Sequence, residues 1–297
     1  MALFELHKET LNRIKPVPFK LERDIQNITE NNLEEIFDLK FIKSEFQLKN
    51  LRIDTLAFDE YSKTFVIIEY KKDSSFSVVD QGYAYLSMVL NNQADCILEY
   101  NDHSNEPIKK SDVDWSQSRI LFVAPSFNLY QRQAINFKDI PIELWEVRQY
   151  ANNLVSYNRI LPTDTTESIK IISKSTQPMR NVSEQIKIHT VERVLGKASD
   201  SVKSIFDSIR EEIFQIDSNA EERPAKTMVG YYTDGRGLAW LNPQSTRLTL
   251  HLRKGKYPDK YGMIKPEGWG GYPVLNITED DFDLSYIRGL IKKAYEY

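Results

Sequence analysis

The chain has 297 residues, of which 39 are Lys or Arg and 43 are Asp or Glu, giving a formal net charge of −4. No apolar stretch approaches the roughly 20 residues that span a bilayer, which excludes an integral membrane protein, and the length predicts about two domains. The single cysteine, Cys96, excludes an intrachain disulfide and a cysteine-based zinc site. The four histidines, His7, His103, His189 and His251, have no ligand-like spacing, so any metal site must use carboxylates, which suit hard ions such as Mg²⁺ or Mn²⁺.

The first half of the sequence predicts an α/β layered domain with a mixed sheet. Apolar residues at helical spacing indicate a helix around residues 21–28 and a short one over residues 33–37. Further helices are predicted over residues 78–91 and 129–136. Extended, largely apolar segments predict strands at residues 41–48, 51–58, 64–70, 96–98, 119–124 and 142–147. Strands interspersed with helices are typical of an α/β fold.

A change in composition near the middle of the chain indicates a domain boundary. Residues 163–175 contain six Ser or Thr and little apolar periodicity, which is typical of a linker. A helix with an apolar stripe over residues 202–214 follows, and then three closely spaced strands, a shorter strand and a final helix. The sequence therefore predicts a first domain over residues 1–160, a linker over residues 161–185 and a small α+β domain over residues 186–297.

Two acidic residues and a lysine are predicted to converge where a buried strand ends. Asp54 lies on the strand at residues 51–58, and Glu69 and Lys71 lie at the end of the next strand. Residues two apart in a strand face the same side, and a hairpin of these strands brings Asp54 beside Glu69. Such a group predicts a divalent-metal site. Asp54, Glu69 and the backbone carbonyl of Tyr70 would be the ligands, and Lys71 would orient or deprotonate the attacking water.

The spacing alone leaves an alternative open, in which these residues form only a solvated strand exit. An acidic residue followed two positions later by Lys occurs twice in the chain, at residues 38–40 and 69–71. The second occurrence alone has an Asp on a preceding strand. Cys96 is interpreted as a structural residue rather than a nucleophile, because no histidine falls in a supporting motif.

Gln81 and Tyr85 are four residues apart and so share one face of the helix predicted after Lys71. With these two residues, the sequence resembles the PD-(D/E)xK nuclease superfamily, and within it the RecB-like and NucS-like endonucleases. That superfamily has an Asp, then Glu-x-Lys on the next strand, then Gln-x-x-x-Tyr on the following helix. The matching residues here are Asp54, Glu69, Lys71, Gln81 and Tyr85. The resemblance covers roughly residues 20–150, and Ile53 replaces the Pro of the superfamily pattern.

The resemblance implies a restriction-endonuclease-like mixed sheet flanked by helices, and metal-dependent hydrolysis of DNA phosphodiester bonds in DNA repair or restriction of foreign DNA. It implies that Gln81 and Tyr85 act in the active site or on the substrate strand. Glu22, on the first helix, is expected near the metal or, alternatively, as an exposed carboxylate. The alternative function is a non-catalytic module that binds nucleic acid or protein on the same scaffold.

Two further expectations concern the setting of the protein. The N-terminal residues lack the basic-then-apolar layout of a signal peptide, so we expect a cytoplasmic protein. Many related nucleases dimerise to cut two strands, so the resemblance also allows a homodimer.

The second domain contains a basic segment. Residues 223–265 hold nine Lys or Arg against two acidic residues, a local charge of +7. Aromatic residues occur in and just after this segment, at Tyr231, Tyr232, Trp240, Tyr257, Tyr261, Trp269 and Tyr272. Basic groups bind phosphates and aromatic rings stack on bases, which predicts a nucleic-acid surface. The phosphate contacts predicted there are Arg253, Lys254, Lys256 and Lys260. The alternative is that the aromatic residues belong to the core and the basic loops are only solvated. The domain also resembles an uncharacterised small domain found fused to such nucleases.

Overall fold

The computed structural model describes residues 2–73, 76–137, 140–163, 176–187, 189–266 and 271–297. The chain forms two units, Met1–Lys187 and Ile188–Tyr297, and both combine helices with strands. No helix in these ranges is long and apolar enough to cross a membrane.

The first unit is built around a mixed sheet. Its strands are β1 (Leu3–His7), β2 (Thr10–Ile14), β3 (Pro16–Val17), β4 (Lys40–Leu48), β5 (Leu51–Asp59), β6 (Thr64–Tyr70), β7 (Arg119–Ala124), β8 (Ile142–Tyr150) and β9 (Leu154–Ile160). The sheet has the order β3-β8-β7-β6-β5-β4, with β9 paired to β8, while β1 and β2 form a separate hairpin. β4, β5 and β6 are antiparallel, whereas β6, β7 and β8 are parallel.

Helices cover both faces of this sheet. They are α1 (Glu22–Glu30), α2 (Leu33–Phe37), α3 (Val78–Asn91), α4 (Gln93–Asp102), α5 (Leu129–Ala134) and α6 (Gln177–Gln185). On one face, Ile25 of α1 and Phe37 of α2 join a core that includes Ile68 of β6. On the other face, α3 packs so closely that a Cβ atom at Gly82 would lie 2.8 Å from Cδ1 of Ile142. Every residue of β6 is buried, as its continuous apolar run predicts.

Two predictions for the first unit differ from the structure. The strand predicted at residues 96–98 is part of α4, and the buried Cys96 and Tyr100 lie one helical turn apart on it. Within the linker predicted over residues 161–185, residues 177–185 form α6. This helix contacts α3, where Asn181 Nδ2 donates to Ser87 Oγ at 3.4 Å. Residues 164–175 of that linker lie outside the described residues.

The second unit is an antiparallel sheet with helices packed against it. Its strands are β10 (Glu221–Pro224), β11 (Val229–Thr233), β12 (Arg236–Pro243), β13 (Leu248–Leu252), β14 (Lys265–Pro266) and β15 (Pro273–Ile277), in the order β10-β11-β12-β13-β15-β14. Its helices are α7 (Val191–Leu195), α8 (Asp200–Ile216) and α9 (Leu284–Tyr295). The apolar stripe of α8, including Ile205 and Ile209, packs in one core with Leu250 of β13 and Ile291 of α9.

Candidate active site

The hairpin of β5 and β6 brings Asp54 and Glu69 together, as the spacing predicts. Thr55 pairs with Ile68 in the antiparallel register, so Asp54 and Glu69 are the next opposing residues. The backbone amide of Asp54 donates to Glu69 Oε1 at 3.1 Å, and the backbone amide of Tyr70 donates to Asp54 Oδ2 at 3.0 Å. Glu69 is only 1% exposed. The hairpin therefore holds two carboxylates side by side at the end of a buried strand.

Lys71 completes this group. It lies one residue beyond β6, where its backbone amide donates to the carbonyl of Val123 at 3.0 Å. This bond continues the ladder with β7 and fixes the direction of the side chain. Lys71 Nζ lies 3.3 Å from Glu69 Oε2, and 18% of the side chain is exposed. The ammonium group therefore contacts the carboxylates while part of the side chain reaches solvent.

The protonation behaviour of the three groups reflects an excess of buried negative charge. Burial, followed by the charge of Asp54, raises the pKa of Glu69 to about 8. Burial also raises the pKa of Asp54, although the Tyr70 amide and Lys71 oppose this effect. For Lys71, burial alone would lower the pKa, but the nearby carboxylates outweigh it and the pKa is raised. The positive charge of Lys71 therefore does not fully offset the cost of burying two negative charges, and the pKa values of both carboxyl groups stay raised.

Gln81 and Tyr85 lie together on α3 and face the same group. Gln81 Nε2 donates to the Tyr85 hydroxyl at 3.2 Å. Burial, followed by the negative charge of Glu69, raises the pKa of Tyr85, which places the hydroxyl in the electrostatic field of the carboxylates. The helical spacing that predicted a shared face is confirmed. A role of either residue in catalysis stays a prediction.

Glu22 approaches the group from α1. Its Oε2 atom accepts a hydrogen bond at 3.0 Å from the backbone amide of Lys72, just after Lys71. Its negative charge contributes to raising the pKa of both Asp54 and Lys71. Glu22 is exposed, as the alternative interpretation expects, and it is also tied to the edge of the group through the backbone amide of Lys72.

Sequence reasoning missed Gln26, which links α1 to the hairpin. It is buried, and its side-chain amide donates to the backbone carbonyl of Asp54 at 3.2 Å and to Glu45 Oε1 at 3.3 Å. A second link is the hydrogen bond from the Thr55 hydroxyl to Glu30 Oε1 at 2.5 Å. The signal for Gln26 was present in the sequence, because it lies four residues after Glu22 and so shares its face of the helix.

The carboxylate oxygens of Asp54 and Glu69 are ligands of the kind that a hard divalent cation prefers, although only two side chains supply them. No group of three or more His, Cys, Asp and Glu side chains with metal-binding geometry occurs within the described part of the chain. Asp54 and Glu69 still offer adjacent carboxylate oxygens, which are the ligands that Mg²⁺ and Mn²⁺ prefer. The raised pKa values of both carboxylates indicate that a cation between them would be favourable. The backbone carbonyl of Tyr70 as a further ligand stays a prediction.

In the second unit, the prediction that Arg253 contacts phosphate is wrong. The residue is 6% exposed, and its guanidinium group donates to Gly237 O at 2.6 Å, Thr233 Oγ1 at 3.2 Å and Arg236 O at 3.3 Å. The sequence does not distinguish this buried cation from the exposed lysines beside it. Arg253 instead joins the turn between β11 and β12 to the end of β13.

The three lysines predicted beside Arg253 are exposed. Lys254 Nζ lies 4.8 Å from the ring centroid of Tyr272, and Lys260 Nζ lies 4.7 Å from that of Tyr261. The backbone amide of Lys256 donates to the Tyr297 hydroxyl at 3.1 Å, which fixes its loop. Most aromatic residues of the predicted surface belong to the core, as the alternative interpretation expects: buried are Tyr231, Tyr232, Trp240 and Tyr272. Trp269 lies outside the described residues.

Comparison with known proteins places the chain in a family, and the descriptions of the matches state no activity. Residues 191–297 match DUF5655, a domain of unknown function. A protein of Haemophilus influenzae, described as an uncharacterized protein, is 38% identical over 300 residues, which cover 99% of each chain. The chain belongs to the same family as this protein. No solved structure matches the chain. Neither the matched domain nor the relative carries a name that states a substrate, so the function must be argued from the site.

Proposed function

We propose that the first unit is a metal-dependent DNA endonuclease that hydrolyses phosphodiester bonds, on a restriction-endonuclease-like fold. The observation that carries the proposal is the group of Asp54, Glu69 and Lys71 at the end of β6, with both carboxylates buried enough to have raised pKa values. Perturbed carboxylates with an adjacent lysine in a partly open position are typical of functional sites. The mixed sheet, with α1 and α3 on opposite faces, agrees with the fold that the resemblance implies.

The residues of the group have separable roles in this proposal. Asp54 and Glu69 would hold a Mg²⁺ or Mn²⁺ ion. When bound, that ion would polarise the phosphodiester and lower the pKa of a water molecule. The amide of Tyr70 fixes one carboxylate, and the amide of Asp54 fixes the other. Glu22 and Gln26 position the hairpin from α1. Tyr85, supported by Gln81, lines the side of the site formed by α3.

Lys71 acts as a cation in the ion-free protein rather than as a base. Its pKa is raised, so the side chain is protonated at neutral pH and donates to Glu69 Oε2. In this state it orients an anionic phosphate or a water molecule by hydrogen bonding. Neutralisation of the carboxylates would remove much of the attraction that raises its pKa, so Lys71 would lose its proton, and become able to accept one, more readily with the ion bound than in the ion-free protein.

The experiment is a cleavage assay with purified full-length protein and Mn²⁺ or Mg²⁺ on single-stranded, branched, mismatched and modified DNA. We expect Asp54→Ala, Glu69→Ala and Lys71→Ala to abolish cleavage while circular dichroism shows an unchanged fold. Lys40→Ala is the matched control. Lys40 belongs to the other acidic-x-Lys sequence, and its Nζ lies 3.8 Å from Glu60 Oε1. Metal-dependent cleavage that persists in the Asp54→Ala/Glu69→Ala protein would exclude this site.

A second candidate is a non-catalytic DNA- or protein-binding module on the same scaffold. The observation that favours it is that no third acidic side chain completes a metal-binding geometry within the described residues. The same assay distinguishes the two candidates. No cleavage across the whole panel, together with tight DNA binding, supports a DNA-binding module, whereas absence of DNA binding at low salt supports a protein-binding role.

The wider setting is also a proposal. We place the activity in the cytoplasm, in DNA repair or in restriction of foreign DNA, and we allow for a homodimer that cuts two strands. Lys254, Lys256 and Lys260 would contribute phosphate contacts from the second unit, since they are exposed and two of them lie over aromatic rings.

A further inference from the structure

Two arginines share one buried carboxylate close to the candidate active site. Glu146 of β8 is buried, and its two carboxylate oxygens accept hydrogen bonds from Arg132 of α5 and from Arg148 of β8. The distance from Arg148 Nη2 to Glu146 Oε2 is 2.9 Å, and Arg132 Nε also donates to the carbonyl of Phe127 at 3.1 Å. We call Arg132 and Arg148 the arginine pair. Glu146 and the Phe127 carbonyl hold both guanidinium groups in fixed positions.

The arginine pair and Lys71 lie on the same face of the sheet, at the same end of its parallel strands. The parallel register sets Ala124 opposite Glu146, and the amide of Lys71 continues the ladder from β6 to β7 opposite Ala124. Lys71 and Glu146 are thus two strands apart in register, which is about 10 Å at the usual strand spacing. Since Arg148 follows two residues after Glu146 on β8, it faces the same side.

Aromatic side chains connect the two groups. Lys71 Nζ lies 5.9 Å from the ring centroid of Phe76, and the Phe76 ring lies 6.4 Å from the ring of Phe127. The carbonyl of Phe127 is the one that accepts from Arg132. A chain of contacts through Phe76 and Phe127 therefore links the site to the arginine pair within the first unit.

The arginine pair carries more positive charge than Glu146 neutralises. One arginine is enough to neutralise Glu146, so the second leaves the cluster with a net charge of +1. The side chains are 42% exposed for Arg132 and 35% exposed for Arg148, so both combine a buried anchor with a solvent-facing surface. A guanidinium group has five N–H donors, and a single carboxylate uses only part of them. Such a pre-oriented group suits a phosphate, which arginine binds with two parallel hydrogen bonds.

We propose that the arginine pair binds a backbone phosphate of the DNA strand that enters the site of Asp54, Glu69 and Lys71. This inference rests on the proposed function, because it takes the phosphodiester at Lys71 as the bond that is cut. The 3.4 Å rise of one strand is measured along the helix axis, and the strand also winds round that axis, so a separation of about 10 Å corresponds to fewer than three nucleotides. The arginine pair thus binds a phosphate close to the scissile bond and fixes the register of the strand, and it acts on binding rather than on the chemical step.

The test measures DNA affinity as a function of salt, separately from cleavage. Fluorescence anisotropy of a labelled single-stranded and a labelled double-stranded oligonucleotide is recorded in EDTA, so that no cleavage occurs. We expect Arg132→Gln and Arg148→Gln each to weaken binding roughly three- to tenfold and to reduce the slope of log affinity against log salt by about one. Arg132→Lys and Arg148→Lys should keep the slope, because they keep the charge.

The matched control is Arg210→Gln. Arg210 is also 42% exposed and also bonded to a carboxylate, that of Glu222, but it lies in the second unit. A thermal unfolding scan of each variant checks the fold. If Arg132→Gln and Arg148→Gln show the same affinity and slope as Arg210→Gln, the pair has only a structural role and the inference is wrong.

Cleavage assays of the same variants separate this inference from the proposed function. Binding that depends on the arginine pair, in a protein that cuts none of the DNA panel with Mn²⁺, supports the phosphate contact and contradicts the nuclease. Asp54-dependent cleavage with an affinity that is unchanged in both arginine variants supports the nuclease and contradicts the phosphate contact. Absence of DNA binding by the unsubstituted protein at low salt contradicts both.

Discussion

The raised pKa of Glu69 predicts that its charge opposes folding of the ion-free protein. In the unfolded chain this carboxyl has a pKa near 4.5, and in the folded protein burial and Asp54 raise it to about 8. The folded state therefore binds the proton more tightly. The tighter binding of this proton stabilises the folded state fully below pH 4.5, and this stabilisation is lost as the pH rises through 8. Full loss corresponds to roughly 5 kcal/mol of unfolding free energy.

Glu69→Gln should remove this dependence, because the amide stays neutral at every pH. Relative to the unsubstituted protein, we expect the variant to gain about 2–4 kcal/mol of unfolding free energy between pH 5 and pH 9. The lower end allows for Asp54, whose own pKa is raised, so that part of the charge acting on Glu69 is absent at the lower pH. Urea unfolding in EDTA, read by hydrogen exchange of peptides from β5 and β6, measures the first unit separately from the second.

Glu143→Gln serves as the matched control for this prediction. Glu143 is also a buried glutamate, but it forms ion pairs with Arg119 at 3.1 Å and with Arg159 at 3.3 Å. Removing one partner of a buried ion pair is destabilising, so this variant should lose stability at pH 9. A Glu69→Gln variant whose stability relative to the unsubstituted protein does not rise between pH 5 and pH 9 would refute the electrostatic description of the site.

Two further predictions follow from the same structure. Mn²⁺ at about one hundred times its Kd should stabilise the unsubstituted protein by about 3 kcal/mol. A thermal shift at pH 8 checks this, and an equal shift in Asp54→Asn would show that the ion binds elsewhere. Burial raises the pKa of the Cys96 thiol to about 12, so a thiol reagent at pH 8 should modify it only as the protein unfolds; rapid modification of the native protein would contradict this.

The sequence predicted how Asp54, Glu69, Lys71, Gln81 and Tyr85 are placed relative to one another, because the geometry that brings them together is local. Asp54 and Glu69 meet through one hairpin, Lys71 follows two residues after Glu69, and Gln81 and Tyr85 are one helical turn apart. Strand alternation and helical spacing are sufficient to bring such residues together.

The arginine pair could not be predicted in this way. Arg132 and Arg148 come from different elements, and only the parallel register of β6, β7 and β8 relates Glu146 to Lys71. The same holds for Arg253, since its burial depends on the carbonyls of a turn between two other strands.

Errors in the elements arose where local patterns are ambiguous. The apolar run at residues 96–98 is too short to distinguish a strand from a helix, and in α4 its Leu98 is 63% exposed while Cys96 is buried. The strands β1, β2 and β9 were not predicted, because most of their residues are exposed or half-buried and their sequences lack a clear apolar alternation. Whether such a segment forms a strand depends on the strands with which it pairs, and the segment's own sequence does not contain that information.

The structural role of Arg253 predicts a separation between stability and DNA binding in the second unit. Arg253→Ala leaves the carbonyls of Gly237 and Arg236 without this donor, and we expect a loss of about 2–4 kcal/mol in the unfolding free energy of that unit. Replacing the exposed Lys254, Lys256 and Lys260 together by Gln should change its stability by less than about 1 kcal/mol. The triple variant should instead reduce the salt slope of DNA affinity, which Arg253→Ala should leave unchanged at temperatures where it is folded.

Urea unfolding followed by hydrogen exchange of peptides from β12 and β13, combined with anisotropy titrations, measures both quantities. An Arg253→Ala protein of normal stability and reduced salt slope would show that this arginine reaches phosphate after all, and that its contacts to the turn are dispensable.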